Sequence, residues 1–267
     1  MNSPRKLTPQ EEARLAQVRK NFQEKKQISD SLKSIKKKIG VYSGKGGVGK
    51  TTVATNLSLK IAEKNLSVAL FDCDIDCPNV TKTIKISEPP TERNNKLIPP
   101  SIHGVKVMSM SFFQEDEETA IIWRGPMIHN SINQFLSSTE WGELDYMLVD
   151  LPPGTSDAPL TVMQTLQLDG FIIVTTPQDL AALDAKRSIN MIRKLNLEVL
   201  GIIENMSGDI FGVGTGEDLS SELNIPFLGS LELSGEYKNS KSAVIKNSKR
   251  VNEEYEKIVD NLFKLIN

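Results

Sequence analysis

The residues whose types and spacing most clearly indicate a chemical function form a glycine-rich run, GKGGVGKTT, at positions 44–52. Glycines let backbone N–H groups turn toward a phosphate, and a helix that begins at the end of the run adds its partial positive charge. A short apolar stretch precedes the run and a helix-forming stretch follows it, which is the context that a phosphate-binding loop requires. A merely flexible glycine loop is the alternative, but it would need neither the Lys-Thr pair nor this context. The sequence therefore predicts a site for ATP.

The positions of this loop have separate expected roles. Lys50 is expected to bridge the β- and γ-phosphates, and the Thr51 hydroxyl to ligate Mg²⁺. Thr52 is expected to support the α-phosphate. The other residues expected to surround the phosphates are Gly44, Lys45, Gly46, Gly47, Val48 and Gly49.

Two aspartates, Asp72 and Asp74, flank Cys73 directly after the next apolar stretch. A carboxylate at this position can hold Mg²⁺ through water or orient an attacking water molecule. The alternative is that an aspartate at the end of a strand only caps the following turn. We favour the catalytic role, because the loop at 44–52 already fixes a phosphate nearby.

A third acidic position ends the apolar run Leu148-Val149 and is followed by a stiff Pro-Pro-Gly turn. This pattern is typical of a Walker B strand, in which the acid supports the water shell of the metal. We therefore expect Asp150 to act in this way and Gly154 to approach the γ-phosphate. Asp157 follows in what would be a switch loop.

The fold must bring these residues to one edge of a sheet, and the sequence predicts a fold of this kind. Short apolar runs alternate with helix-forming stretches, which indicates an α/β fold with a doubly wound, mostly parallel sheet covered on both faces. In such sheets the ligand site lies beyond the carboxyl ends of the strands. The predicted strands are 39–42, 67–71, 105–110, 146–149, 171–174 and 199–203; the predicted helices include 51–62, 180–195 and 251–266. The proline-rich segment 88–100 is predicted to be a loop.

The first 38 residues differ from the rest in charge. They contain eleven Lys and Arg against four Asp and Glu, a net +7, whereas the remaining residues carry −9. Thr8 to Glu11 has the pattern of a capping box with proline at the first helical position. We divide the chain into a basic helical extension, 1–37, and a P-loop ATPase domain, 38–267. Leu15, Val18 and Phe22 fall on one helical stripe, which we expect to pack on the domain; a docking arm for an acidic partner or a membrane is the alternative.

The composition argues against a disulfide-stabilised, a membrane-spanning or a secreted protein. Two cysteines are too few for a disulfide framework, and the apolar runs are too short to span a membrane. The charged N-terminus is unlike a signal peptide. We expect a cytoplasmic protein without membrane insertion. We also expect no nucleic-acid binding, since no basic patch is interleaved with aromatic residues; Trp123 and Trp141 are expected to be packing residues.

The loop G-K-G-G-x-G-K-T-T resembles the deviant Walker A motif of the MinD/ParA branch of P-loop NTPases, which has a second lysine. This resemblance implies that Lys45 reaches across a dimer interface to the nucleotide of the partner, where it would act as an arginine finger does. It also implies that Asp74 lies beside the attacking water and that Asp72 lies near the metal shell.

Longer stretches resemble a narrower group, the Mrp/ApbC family of iron–sulfur cluster carrier ATPases. The resemblance covers about residues 38–233. It rests on WRGPM (123–127), WGELDYMLVDLPPGTSD (141–157), DGFIIVTTPQDLAALDAKRSINMIRKL (169–195) and GIIENMSG (201–208). It implies a slow ATPase that works as a homodimer, an adenine contact at Asn205, and ATP-linked delivery of a [4Fe–4S] cluster to apoproteins.

The chain departs from that family in its cysteines. Family members usually carry a Cys-x-x-Cys pair after the ENMS segment, but here Ser207-Gly208 runs directly into Asp209-Ile210. Cys73 and Cys77 are the only cysteines, and iron–sulfur clusters need thiolates for strong ligation. If Cys73 ends a strand between two site aspartates, its side chain should point into the packing. We therefore expect weak cluster binding or none.

Three purposes are compatible with these residues. The first is an iron–sulfur carrier or assembly ATPase that serves apoproteins. The second is a nucleotide-switched interaction protein that has lost the cluster and works with a cysteine-bearing paralogue. The third is a MinD/ParA-like positioning ATPase, which usually needs an amphipathic tail. The apolar spacing of 251–266 is more typical of a helix packed on the core.

Overall fold

The computed structural model describes residues 8–75, 77–113, 125–238 and 243–266. The strands are β1 (Ile35–Tyr42), β2 (Val68–Asp72), β3 (Thr91–Arg93), β4 (Lys96–Ile98), β5 (Ser101–Ile102), β6 (Val105–Ser109), β7 (Leu144–Asp150), β8 (Gly170–Thr175), β9 (Val199–Ser207) and β10 (Phe227–Glu232). The α-helices are α1 (Pro9–Leu32), α2 (Lys50–Ala62), α3 (Val80–Ile84), α4 (Gly125–Ser138), α5 (Asp157–Thr165), α6 (Asp179–Lys194), α7 (Thr215–Leu223) and α8 (Lys249–Ile266). Short 3₁₀ turns occupy Met110–Phe113, Gly235–Tyr237 and Val244–Lys246.

Eight of these strands form one sheet in the order β10-β9-β8-β1-β7-β2-β6-β5. All neighbours pair in parallel except β5, which runs antiparallel to β6 at the edge. Strands β1 and β7 lie side by side at the centre, with β2 on the far side of β7. The predicted doubly wound, mostly parallel sheet is confirmed, and the loops that follow β1, β2 and β7 meet at one edge.

Helices cover both faces of the sheet, which is why the central parts of its strands are apolar on both sides. On one face α2 packs on β1, β2 and β7, while α8 packs on β9, β10 and α2. Val251, Tyr255, Ile258 and Leu262 of α8 are buried there. This confirms the predicted packing of the last helix on the core. The other face is covered by α4, α5, α6 and α7 and includes Trp141, which is buried as predicted. Trp123 lies outside the described residues.

The N-terminal helix begins as predicted. The Thr8 side chain accepts from the Glu11 N–H, and the Glu11 carboxylate accepts from the Thr8 N–H. The packing of its first half is different from the prediction: the side chains of Leu15, Val18 and Phe22 are exposed. Helical spacing in the sequence shows which residues share a face of the helix. It does not show whether another part of the protein packs against that face.

The end of α1 belongs to the main body of the fold. Ile28 and Leu32 are buried in the same core as α4 and α5. Strand β1 begins at Ile35, which pairs with Leu144 of β7, so the predicted boundary between residues 37 and 38 falls inside this strand. Three consecutive lysines, at positions 36–38, follow Ile35 at the start of the strand, which hides this part of it in the sequence.

The segment 88–100, predicted to be a loop, contains the antiparallel hairpin β3–β4. Its turn residues Asn94 and Asn95 both have positive φ, of 52° and 58°. Two consecutive residues of this kind are typical of a tight type I′ turn, which asparagine tolerates. The strands have three residues each and are mostly exposed, so they lack the apolar alternation that marks longer strands.

Within the described part of the chain, no helix combines the length and apolar character needed to cross a bilayer.

Candidate functional site

The glycine-rich loop joins β1 to α2, as the sequence predicts. Gly47 and Gly49 have φ of 81° and 84°, which residues with a side chain rarely adopt. Gly44 is required for a different reason: a Cβ atom there would lie 2.1 Å from the carbonyl oxygen of Asp184 in α6. The loop is thus held between its own helix and the backbone of α6, and its shape depends on glycine at both ends.

The loop and the acidic end of β7 converge on one carboxylate. The ammonium of Lys50 lies 2.6 Å from Oδ1 of Asp150, and the hydroxyl of Thr51 donates to Oδ2 at 2.7 Å. Asp150 is fully buried and the Lys50 side chain is 6% exposed. Three residues predicted from two separate motifs are therefore in direct contact. Asp150 thus holds the two groups that phosphate and Mg²⁺ would use.

A second buried carboxylate lies next to the first. Asp72 ends β2 and is the register partner of Asp150 on β7. It accepts hydrogen bonds from the Ser109 hydroxyl at 2.9 Å and from the backbone N–H groups of Asp74 and Val80. Burial, together with the charge of Asp150, raises the pKa of Asp72 to about 8. Asp72 therefore shapes the loop that follows β2 through its hydrogen bonds with the N–H groups of Asp74 and Val80.

Asp74 lies in that loop and is nearly buried. Its carboxylate accepts a hydrogen bond from the N–H of Cys77 at 3.3 Å. The loop passes beside β7, because the N–H of Cys73 donates to the carbonyl of Asp150 at 2.9 Å. The backbone thus brings the segment Asp72-Cys73-Asp74 next to the end of β7. This agrees with the prediction that both segments lie at one edge of the sheet.

Lys45 and Asn205 connect the loop to neighbouring elements. The ammonium of Lys45 donates to Oε1 of Gln178, the residue that precedes α6, at 3.3 Å. The side-chain amide of Asn205 donates to the carbonyl of Val48 at 2.8 Å and lies where a Cβ on Gly49 would collide with it. Asn205 therefore supports the P-loop directly, a contact that the sequence did not predict.

The turn after β7 is fixed to the strand that carries the P-loop. The Tyr42 hydroxyl donates to the carbonyl of Gly154, and the Gly154 N–H donates to the carbonyl of Ser43 at 3.0 Å. Burial raises the pKa of Tyr42 to about 12, so its hydroxyl is a permanent donor. Asp157, predicted in a switch loop, begins α5 and is exposed.

Glu204 is a buried residue of the site region that sequence analysis missed. Its carboxylate accepts from the Ser207 hydroxyl and from the N–H groups of Gly214 and Gly216, where α7 begins. A carboxylate at a helix N-terminus is stabilised by the helix dipole. The one signal in the sequence is an acid directly after the apolar run Gly201-Ile202-Ile203, the same pattern that marked Asp150.

The two cysteines are placed as predicted. Cys73 is fully buried in the core with Phe71, and Cys77 is exposed. Burial raises the pKa of the Cys73 thiol well above its ordinary value. A thiol that stays protonated is a poor ligand, since iron–sulfur clusters are held by thiolates.

The donor atoms near the P-loop fit Mg²⁺. They are the hydroxyl of Thr51 and the carboxylates of Asp150 and Asp72, which are the hard oxygen ligands that this ion prefers. No group of three or more His, Cys, Asp or Glu suited to a metal occurs in the part of the chain that the structure describes. Mg²⁺ does not need such a cage, because it usually keeps waters and takes substrate phosphates as ligands.

Comparison with known proteins agrees with this site. An iron–sulfur cluster carrier protein of Methanocaldococcus jannaschii is 43% identical over 224 residues, 79% of this chain and 77% of the relative. One of Pseudomonas fragi is 43% identical over 218 residues, with 77% and 76% covered. Among solved structures, a nucleotide-binding protein of Archaeoglobus fulgidus in complex with ADP is 30% identical, with a TM-score of 0.72 over 91% of this chain and 97% of that one.

More distant structures share the fold. The cell division ATPase MinD of Pyrococcus furiosus is 20% identical, with a TM-score of 0.67 over 86% of this chain and 99% of that one. The family model described as ParA, NUBPL iron-transfer P-loop NTPase, matches residues 34–264. The predicted resemblance is thereby confirmed. The chain belongs to the NUBPL-type iron-transfer P-loop NTPases, the family of the iron–sulfur cluster carrier proteins.

Proposed function

We propose that this protein is a Mg²⁺-dependent ATPase of the iron–sulfur cluster carrier family, slow in turnover, that hydrolyses ATP to ADP and phosphate as a homodimer. The observation that carries the proposal is the convergence of Lys50 and Thr51 on the buried carboxylate of Asp150. A P-loop lysine, a Mg²⁺-ligating hydroxyl and a Walker B acid are the parts that phosphoryl transfer requires, and here they occupy one buried cluster.

Each residue has a separate task in this mechanism. Lys50 would clamp the β- and γ-phosphates, while Thr51 and Asp150 would hold the metal, the latter through water. The bound ion neutralises charge that develops on the phosphate oxygens. Asp74 would position the water that attacks the γ-phosphate, and Asp72 would lie near the metal shell. Asn205 keeps the loop in shape through Val48, beside the place where the resemblance puts adenine.

The contact of Lys50 with Asp150 joins the P-loop to the Walker B strand. The ammonium of Lys50 has three N–H donors, so it can keep its contact with Asp150 at 2.6 Å and also donate to phosphate oxygens. A phosphate bound at Lys50 would thus be coupled to the end of β7 and to the turn that follows it, which suits an enzyme that works as a switch.

Hydrolysis is the first expected result. Purified protein should release phosphate from ATP in the presence of Mg²⁺, slowly, and should lose this activity when EDTA removes the ion. The measurement is phosphate release with and without EDTA, with ATP binding followed in parallel. Equal rates in Mg²⁺ and EDTA, or no release by protein that binds MgATP, would contradict the proposal.

A second candidate concerns the cluster itself. The burial of Cys73 leaves one exposed thiol in each chain, and two thiols across a dimer are fewer than the four that a bridging [4Fe–4S] cluster needs. This favours a protein that serves iron–sulfur assembly by nucleotide-switched contacts. Its partners would be iron–sulfur apoproteins or a cysteine-bearing paralogue, and it would not hold a cluster on its own thiolates.

Anaerobic reconstitution tests this candidate. After incubation with iron and sulfide, the desalted protein should retain well below one cluster per dimer, and Cys77→Ser should leave both the retained iron and the ATPase rate unchanged. The measurement is iron and sulfide per chain. Stoichiometric iron and sulfide, lost separately in Cys73→Ser and in Cys77→Ser, would show that the carrier holds its cluster beside the ATP site.

A further inference from the structure

Tyr42 is the last residue of β1 and comes two positions before the glycine-rich loop. Its side chain is fully buried in the core that lies under α5 and α6. The hydroxyl donates to the carbonyl of Gly154, in the turn at residues 151–154 that follows β7 and that we call the Walker B turn. The aromatic ring alone would fill this place in the core, so the contribution of the hydroxyl is its contact with the turn.

The Walker B turn has few backbone donors of its own, because its two central residues are prolines and have no N–H. The N–H of Leu151 donates to the carbonyl of Val41 at 3.1 Å, and the N–H of Gly154 donates to the carbonyl of Ser43 at 3.0 Å. The bond from Tyr42 is a third one between the turn and the end of β1. Since it comes from a side chain, a single substitution can remove it and leave the other two in place.

The turn borders the place where phosphate is expected. A Cβ atom on Gly46 of the P-loop would lie 4.0 Å from Cγ of Pro153. At its other end the turn continues directly from Asp150, the acid that the P-loop contacts. Gly154 has a φ of 84°, and a Cβ there would meet nothing within 4 Å, so glycine is required by the bend of the backbone and not by lack of space. A shift of the turn would therefore move the surroundings of the γ-phosphate.

We propose that Tyr42 is a positioning residue for ATP hydrolysis, whose hydroxyl holds the Walker B turn against the P-loop through Gly154. The inference rests on the ATPase function proposed above. Binding and hydrolysis make different demands on the turn. ATP affinity would come from the loop N–H groups and Lys50, which belong to the P-loop and not to the turn. Hydrolysis also requires the groups around the γ-phosphate, Asp150 among them, to be placed accurately, and small displacements of such groups lower the rate.

The experiment compares Tyr42→Phe with wild type by equilibrium ATP binding and by single-turnover phosphate release from MgATP. The rate should fall about five- to tenfold, which corresponds to the loss of one buried hydrogen bond, while the Kd for ATP changes less than about twofold. Burial raises the pKa of Tyr42 to about 12, so its hydroxyl donates throughout the assay range. The fold reduction should therefore be the same from about pH 6 to about pH 9.

Tyr255→Phe is the matched control. Tyr255 is equally buried, but it lies on α8 in the core on the opposite face of the sheet, so loss of its hydroxyl should change neither the rate nor the Kd.

Amide hydrogen exchange, followed by NMR, measures the turn itself. In Tyr42→Phe the N–H of Gly154 should exchange at least about fivefold faster, because the turn has lost a bond at that residue. The N–H of Leu151 should change less than about twofold, because its bond to Val41 continues the pairing of β7 with β1. A merely structural role for the hydroxyl would speed exchange at both positions.

The results that would overturn this inference are distinguishable from failure of the proposed function. If wild type hydrolyses ATP and Tyr42→Phe does so equally fast or faster, Tyr42 is not a positioning residue, and the ATPase function stands. If the Kd for ATP rises in step with the loss of rate, or exchange speeds up at both amides, the hydroxyl supports the fold as a whole and the inference is wrong. If wild type binds MgATP and releases no phosphate, the proposed function fails and this inference fails with it.

Discussion

Lys50→Ala is expected to abolish ATP binding and also to destabilise the nucleotide-free protein. Loss of binding follows because the β- and γ-phosphates lose their main cation. Hydrogen bonds to charged groups contribute about 1.5–3 kcal/mol each, so two of them correspond to at least about a hundredfold in Kd. The loss of stability follows from the structure, since Lys50 is the cation that faces the buried carboxylate of Asp150 at 2.6 Å.

Removing one partner of a buried ion pair costs about 3–5 kcal/mol, because the other charge is left without compensation. The double variant Lys50→Ala/Asp150→Ala should therefore regain most of the free energy of unfolding while it still fails to bind ATP. Chemical denaturation and equilibrium nucleotide binding measure the two properties separately.

Lys60→Ala is the matched control. Lys60 is a second buried lysine on α2, ion-paired with Glu63 at 3.1 Å and with Glu256, and it lies outside the P-loop. Its removal should lower stability and leave ATP affinity unchanged. If Lys50→Ala binds ATP as tightly as wild type, or if Lys60→Ala weakens binding equally, the assigned role of Lys50 is wrong.

Lys45→Ala is expected to leave ATP affinity within a few-fold of wild type and to lower the hydrolysis rate by at least about a thousandfold, the range of an arginine finger. Lys45 is directed to Gln178 in the structure, so its loss should not disturb the groups that bind phosphate. ATP binding and single-turnover phosphate release measure the two effects.

Gln178→Ala is the control for Lys45. It removes the hydrogen-bond partner and keeps the charge, so hydrolysis should persist at a rate near that of wild type. If Lys45→Ala hydrolyses ATP normally, the mechanism based on the deviant loop is wrong. If Gln178→Ala is as inactive as Lys45→Ala, the lysine acts through its contact with α6 and not through its charge on a nucleotide.

The predictable part of this site consists of local patterns. The conformation of the loop at 44–52 can be predicted from its own residues, because the glycines and the start of a helix follow each other in sequence. Asp72 and Asp150 each end an apolar strand, so a parallel sheet necessarily brings them to one edge. The structure places Lys50 and Thr51 in contact with Asp150, which agrees with this shared edge.

Other features depend on groups that are distant in the chain and carry no local signal. Glu204 binds N–H groups of Gly214 and Gly216, and backbone amides leave no trace in a sequence pattern. Gly44 is required by the backbone of α6, about 140 residues later. The prediction for α1 was wrong for a different reason. Leu15, Val18 and Phe22 were expected to pack on the domain, but their side chains are exposed.

The measurement that tests the central claim most directly mixes two inactive chains, Asp74→Asn and Lys45→Ala. In a mixed dimer, the Lys45→Ala chain keeps its own Asp74 and receives Lys45 from the partner, so one of its two sites is complete. Random pairing makes half of the dimers mixed, and about a quarter of wild-type activity per chain should return. Differently tagged chains that copurify show that mixed dimers form. If these dimers are present and no activity returns, Lys45 does not act across the interface, and the proposed mechanism is wrong.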